Sequence, residues 1–510
     1  MKYTFYFSII CLTLLMLLGC SKQPNSNVLN YVITDETSSI SFSPYDSDLD
    51  TNATVVDHLV GTLVKYGPDG RYAPFLAEKW YSTQDNKWIF ELKENLSSED
   101  GQKITAENYV KSLKFIFKKL AHDGTLPTFD ALIGWKEFIR GAGELKGLYY
   151  KDDKTLVFEF DRKIEGLIDY LAMPYYGFYS SSDFNPDGTW KNNQKISSTG
   201  AYKVKRYTEN EILLEMRQDI FSYDKFAPQL VLVKKQKSED ALKENRSRSL
   251  LTISLEGKSI SQSDFTLIKG PPIVLTTIIL SPYKENVFHD LSMREVFVED
   301  VLEYQTSNRF ESSDKIVSTD FFVDYPGKQT STPKGSIAPK DTLKIVKGKE
   351  VLIYIPSLLA KAERDYLDTL FTFILTKKHG IKFTYASDDP KDEQLIQKKI
   401  NNKFFDIRVS TVFAGSTIDW FIVKMIFCTK LGVSYPDPSG RMCSLTKSYE
   451  EGKVALKDFQ QRFNQIYRED SSVIPMFHGG ATWLVSKDID LKNIASTMSH
   501  PRFDLIRFVK

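Results

Sequence analysis

The sequence predicts a mixed α/β protein built in more than one lobe. Three observations carry that expectation. Strand-like apolar runs alternate with helix-period segments along most of the chain. Residues 350–408 read strand, helix, strand, helix, strand, which is the order of a parallel α/β lobe. The chain has 510 residues and no clean linker, a length that predicts roughly three domains or one large multi-lobed protein.

The first element is an export signal. Lys2 supplies a positive start, and Tyr3 to Leu18 form an almost unbroken apolar run of 16 residues. That is short of the roughly 20 a membrane span needs, and suits a signal-peptide core. The run ends in Leu17-Leu18-Gly19-Cys20-Ser21, which resembles the bacterial lipobox. Such a site implies cleavage of residues 1–19 and attachment of a diacylglycerol to the Cys20 sulfur. A plain signal peptide or a signal anchor is the alternative. Residues 20–26 then form a polar tether, and no later stretch is apolar enough to span.

The next readable unit is Glu91 to Val110. Trp88-Ile89-Phe90 with Leu92 suits a short strand, and Asp100-Gly101 is a turn signal. Thr105 stands at a helix N-cap. Behind it Ala106, Tyr109, Val110, Leu113, Ile116, Phe117 and Leu120 recur at helical spacing. "GAGELKG", Gly141 to Gly147, lacks the spacing of a dinucleotide loop and reads as a flexible surface turn. "TLVFEFD", "ILLEM", "LVLVKK", "VLIYIP" and "IKFTYA" read as strands. Further helices are expected at about 291–304, 360–379 and 449–468, with a second helix between "GIKFTYA" and "FFDIRVS". Pro326 to Asp341 reads as a loop.

Composition narrows the function. Lys and Arg number 67 against 66 Asp and Glu, so the chain lacks the basic surplus that phosphate binding requires and no nucleic-acid partner is expected. Aromatic residues, at 13%, are enough to line a ligand cavity as well as a core. There is no Gly-x-Ser-x-Gly, His-Glu-x-x-His, Cys-x-x-Cys or P-loop. The six histidines are scattered, with no pair at metal-ligand spacing on one helix. No catalytic residue, metal or cofactor is therefore expected. After Cys11 and Cys20, only Cys428 and Cys443 remain, 15 positions apart in an exported chain. They either form a bridge or stay as two buried thiols.

In order along the chain, these segments resemble extracellular solute-binding family 5, the dipeptide- and oligopeptide-binding lipoproteins of ABC importers. Gly61-Thr62-Leu63, Gly67-Pro68-Asp69-Gly70, Pro74, Leu76-Ala77-Glu78, Trp80, Asp100-Gly101 and Thr105-Ala106-Glu107 hold the places of its N-terminal signature. "SSTGAYKVKRYTENEILLEMRQDIF", "FHDLSMREVFVEDVLEY" with Arg294, "LTKKHGIKFTYA", "NNKFFDIRVS", "YPDPSG" and "EDSSVIPMFHGG" follow in the family's order.

The resemblance implies a two-lobed periplasmic-binding-protein-like fold (class II, cluster C) with an accessory domain and a hinged ligand cleft. Lobe I would comprise 27–48, 175–275 and 478–510, the accessory domain 49–174, and lobe II 276–477. It also implies a monomer without enzymatic activity that faces the periplasm or cell exterior on its lipid anchor. Such a protein binds a peptide and delivers it to membrane permease subunits. A receptor or sensor of the same fold, acting without transport, is the alternative.

Ligand contacts are expected from Ser38, Thr411, Asp419, Trp420, Ser434, Tyr435 and Asp437. In peptide-binding relatives an Asp just before the "YPDP"-like segment pairs with the peptide's α-amino group. Here Val433-Ser434 stand at that place, and Asp419 beside Trp420 is the substitute. The other reading is that Trp420, Phe421 and Ile422 are core and Asp419 caps a helix. Ser281 also departs from the family, taking the place of an Asn.

Overall fold

The structure is a computed structural model. It describes residues 27–34, 40–45, 50–67, 71–120, 129–164, 166–219, 226–252, 264–270, 274–283, 286–308, 310, 315–317, 321, 343, 350–356, 359–386, 404–413, 423–428, 435–480, 482–494 and 501–509. Three larger sheets organise these residues.

The first has seven strands, in the spatial order Phe265–Lys269, Thr482–Ser486, Ser249–Thr252, Val28–Ile33, Leu230–Lys235, Glu211–Met216 and Tyr202–Tyr207. Val28–Ile33 runs parallel to both of its neighbours, and the other pairings are antiparallel. "EILLEM" forms Glu211–Met216, a strand buried on one face. Ile212, Leu214 and Met216 are buried and alternate with partly exposed residues, so one face meets the core and the other meets solvent.

The second sheet has six strands: Lys315–Val317, Val473–Gly479, Val274–Leu280, Ile407–Phe413, Val351–Tyr354 and Phe383–Tyr385. Its strand Val473–Gly479, paired with Lys315–Val317 and Val274–Leu280, is buried at every position, as a strand covered on both faces must be. Ile278, Leu280, Ile474 and Met476 pack with Phe297, Val301 and Leu370 of the helices Leu291–Ser307 and Lys361–Phe371. Leu275, Ile279 and Val473, on the other face, join the cluster holding Phe459 and Phe463 of helix Leu456–Asp470. Ser281 donates to Asn286 Oδ1 (3.0 Å), and Asn286 Nδ2 donates to Phe405 O (3.2 Å). An amide is thus present beside the position where the family's Asn is missing.

The third sheet is antiparallel, in the order Ala77–Ser82, Lys87–Leu92, Thr155–Glu159 and Leu148–Tyr150. Helix Ala106–Leu120 contributes fully buried Tyr109, Leu113, Ile116 and Phe117 to its core. The expected turn and cap are in place. Gly101 has φ +85°, and Asn108 N–H donates to Thr105 Oγ1 at 3.2 Å.

Three readings change. The apolar period over 449–468 runs together two helices, Arg441–Glu450 and Leu456–Asp470. Gly452, at φ +68°, turns the chain between them, a conformation an α-helix excludes. The helix expected at 360–379 is α-helical over Lys361–Phe371 and continues as a π-helix through Thr372–Lys378. "GAGELKG" is exposed at Gly141 to Glu144 and at Lys146, but Leu145 and Gly147 are buried, Gly147 closely against Glu159 of the third sheet. The Pro326–Asp341 loop and the second helix of the 350–408 unit lie outside the described residues.

A buried charge set fastens the C-terminal segment to helix Asp50–Leu59. His58 Nε2 donates to Pro501 O at 3.0 Å and its ring stacks on Phe503 at 4.0 Å, with Nδ1 lacking a partner among the described residues. Burial pushes its imidazole down to about 4, against the opposing charge of Asp57. An unfolded histidine titrates near 6.5, so the unfolded chain takes up the proton first. This contribution to stability is complete above about pH 6.5 and is lost as the pH falls through 4. The loss should reach about 3 kcal/mol. Urea denaturation at pH 7 and pH 4 should show it for the wild type, and much less of it for His58→Phe. Equal pH dependence of the two proteins would dismiss the assignment.

Candidate functional site

The two larger sheets are joined by chain crossings that lie side by side. Lys269 is in register with Thr482 at one end, and Val274 with Gly479 at the other. Both sheets point the carboxyl ends of their parallel strands toward this junction. In the seven-stranded sheet these ends are Ile33, Lys235 and Thr252, the last paired with Trp483. In the six-stranded sheet they are Tyr354 and Phe413, the latter paired with Val274. Carboxyl ends of parallel strands are where loops diverge and open α/β sheets take ligands. Here two such edges meet at one junction.

The expected site residues divide into two groups. Cys20, Ser38, Asp419, Trp420 and Ser434 lie outside the described residues. Thr411 is exposed on Ile407–Phe413, near its junction end. Tyr435 is buried, its hydroxyl 2.8 Å from Thr277 Oγ1 and its ring edge-on to Phe427 at 5.3 Å. Asp437 accepts from the backbone N–H of Met442 (3.3 Å) and Cys443 (3.1 Å), so its carboxylate caps helix Arg441–Glu450. Tyr435 and Asp437, expected from the sequence as ligand contacts, thus both have hydrogen-bond partners within the six-stranded lobe. The structure also pairs Cys428 with Cys443, with Cα atoms 5.3 Å apart. The bridge ties the short Lys424–Cys428 turn to the helix that Asp437 caps.

A pocket of about 390 Å³ opens against this bridge. One wall is Asp130 and Arg162, from segments flanking the third sheet; the other carries Lys424, Lys447, Glu450 and Glu451 from the six-stranded lobe. Arg162 Nη2 donates to Asp130 Oδ1 at 2.9 Å, and Nη1 to Asp161 Oδ1 at 3.1 Å. Lys424 pairs with Glu450, both largely buried. Burial pushes the Glu450 carboxyl up against the pull of Lys424, and the charges of Asp130 and Arg162 also act on it. The two walls thus lie within electrostatic reach of each other. No motif announces these residues, because they are far apart in sequence and individually ordinary.

A larger groove of about 580 Å³ is lined by Lys203, Lys205, Glu215, Arg217 and Leu230. It lies at the amino end of Leu230–Lys235, away from the junction, and its Lys205–Glu215 pair (2.7 Å) is a surface contact. Among the described residues no group of three or more His, Cys, Asp or Glu could hold a metal ion. No described helix is long and apolar enough to cross a membrane.

Residues 71–244 match the family model of bacterial extracellular solute-binding proteins, family 5 Middle. The chain is 28% identical over 184 residues to a putative binding protein of Haemophilus influenzae, covering 35% of this chain and 33% of that protein. It is 24% identical over 245 residues to the periplasmic oligopeptide-binding protein OppA of the same organism, covering 44% and 43%. These alignments span from a third to under half of the relatives' own length. The crystal structure of H. influenzae OppA in complex with RPPGFSPFR superposes over 95% of this chain and 99% of that one. Its TM-score is 0.70 at 13% identity, a likeness of fold. The relatives are binding proteins and not enzymes, and their two-lobed fold accounts for the paired sheets and the double crossing. Over residues 71–244 the chain is thus similar to the family 5 bacterial extracellular solute-binding proteins, and over 95% of its length it shares the fold of the solved OppA structure.

Proposed function

We propose that the protein is the lipid-anchored substrate-binding component of an ABC importer, which encloses a peptide between its lobes and delivers it to a membrane permease. One observation carries the reading: two sheets aim the carboxyl ends of their parallel strands at one junction spanned by two crossings. Two crossings let the lobes rotate about a narrow hinge, and closure on a ligand excludes water from the gap. The relatives named for oligopeptides, one of them holding RPPGFSPFR, favour a peptide as the solute. Lobe I formed by 27–48, 175–275 and 478–510, an accessory domain at 49–174 and lobe II at 276–477 suit this action. Cys20 supplies the anchor, which keeps a monomer at the membrane surface.

Native mass spectrometry of protein purified from its host should reveal a co-purifying peptide. Adding that peptide to stripped protein should reduce the radius of gyration in solution scattering. It should also stabilise the fold, by about 2.7 kcal/mol at a hundred times Kd. No compaction and no stabilisation with any member of a broad peptide library would overturn the reading.

A further inference from the structure

We propose that Glu363 and Lys315 clamp the two crossing strands to the six-stranded lobe, holding together a short end of the sheet on which the rotating lobes pull. The inference rests on the lobe closure proposed above and not on what the cleft binds.

The strands through which the chain enters and leaves this sheet, Val274–Leu280 and Val473–Gly479, are paired in two stretches. At the junction end Val274, Leu275 and Thr276 face Gly479, His478 and Phe477. The register then shifts between Thr276 and Thr277, and Thr277 faces Pro475. A bulge disrupts the ladder locally, and a proline has no N–H to give it. Three residue pairs beside the junction are thus set apart from the rest of the strand pair. On the outer side of Val473–Gly479, Lys315–Val317 adds three more pairs, again starting at Gly479. Ladders this short, at the end of a sheet, open locally at low cost.

Side chains supply what the backbone lacks here. Glu363, in the first turn of helix Lys361–Phe371, has a side chain only 4% exposed. Its Oε1 accepts from Thr276 Oγ1 at 3.2 Å and pairs with Lys315 Nζ at 3.3 Å. Thr276 belongs to one crossing strand. Lys315 runs its stem across the other, where a Cβ added at Gly479 would lie 2.6 Å from Lys315 Cδ and 3.1 Å from Cε. Any larger residue at 479 would push the stem aside and draw the ammonium away from Glu363. One buried carboxylate therefore ties both crossing strands and the edge strand to a helix of the six-stranded lobe. All of these ties fall on the junction side of the bulge. Rotation of the lobes loads that end first, because the chain enters the sheet at Val274 and leaves it at Gly479. Opening it would separate a largely buried ion pair, which is costly.

The test uses the full chain without ligand. Lys315→Met combined with Glu363→Gln removes both charges and keeps both shapes, so no unpaired charge is left buried and the fold is retained. Hydrogen exchange read by mass spectrometry should become roughly tenfold or more faster at residues 274–276 and 477–479, the scale of one lost charge-assisted hydrogen bond. Beyond the bulge, at 278–280 and 473–474, it should not change. Gly479→Ala, which moves the lysine stem, should give the same pattern. Solution scattering of the double variant should show a broader distance distribution, because the lobes lose a fixed pivot. Wild-type exchange rates in both variants would overturn the clamp. So would faster exchange on both sides of the bulge alike, which is general destabilisation. Local opening with unaltered scattering would overturn the part of the pair in closure. None of these outcomes touches peptide binding, which the peptide library decides separately.

Discussion

Replacing Asp504 with Ala should destabilise the protein by about 3–5 kcal/mol, as expected when one partner of a buried ion pair is removed. Arg502 donates through Nε to Asp504 Oδ1 at 2.8 Å and through Nη2 to Oδ2, while Nη1 donates to Tyr66 O at 3.2 Å. The pair is largely buried, with side-chain exposures of 11% and 18%. Burial pushes the Asp504 carboxyl up, but the charge and hydrogen bonds of Arg502 outweigh that and hold it below the usual carboxylate range. Without Asp504 the guanidinium keeps its charge and loses both fork contacts. Asp57 acts on Arg502 as well, but is itself paired with Lys65 at 3.1 Å. Asp504→Asn should cost less, since the amide oxygen still accepts one hydrogen bond. Denaturant midpoints of the three proteins decide the matter. A loss under about 1 kcal/mol in Asp504→Ala would mean that water reaches Arg502 and solvates it, as at an exposed pair.

Removing the Cys428–Cys443 bridge by a double change to serine should cost about 3 kcal/mol, the chain-entropy value for a loop of this length. The two cysteines are 15 residues apart in sequence. Between them lie Tyr435 and Asp437, which hold the same wall through Thr277 and the helix N–H groups. Those contacts remain in the variant, so the fold should survive with a lower midpoint. Reductant should lower the wild-type midpoint toward that of the variant and leave the variant unchanged. If the variant matches the wild type in both conditions, the bridge constrains nothing that the Asp437 cap does not already hold.

Where local chemistry decides a conformation, the sequence was a sufficient guide. The Asp100-Gly101 turn and the Thr105 cap are formed by groups a few residues apart, so no distant contact was needed to place them. "ILLEM" and "LVLVKK" could be read as strands because period-two burial is imposed by the pleat itself. The merged helix at 449–468 shows the limit of this reasoning. Leu445, Phe459 and Phe463 all belong to one core cluster, so their apolar pattern continues across a break that only the backbone at Gly452 makes.

The sequence by itself determined the alternation of strands and helices and the ordered set of segments that resemble the family. Both are carried by short-range patterns. It could not determine what Tyr435 and Asp437 do, because a tyrosine and a carboxylate serve a ligand or a scaffold equally well until their partners are known. The tertiary structure supplied those partners, by placing Thr277 against one and the N–H groups of a helix against the other. It also decided which distant side chains meet. Arg162 and Lys447 line one pocket only because separate parts of the chain fold against each other. Sequence separation says nothing about such proximity, since the core that imposes it is assembled from the whole chain.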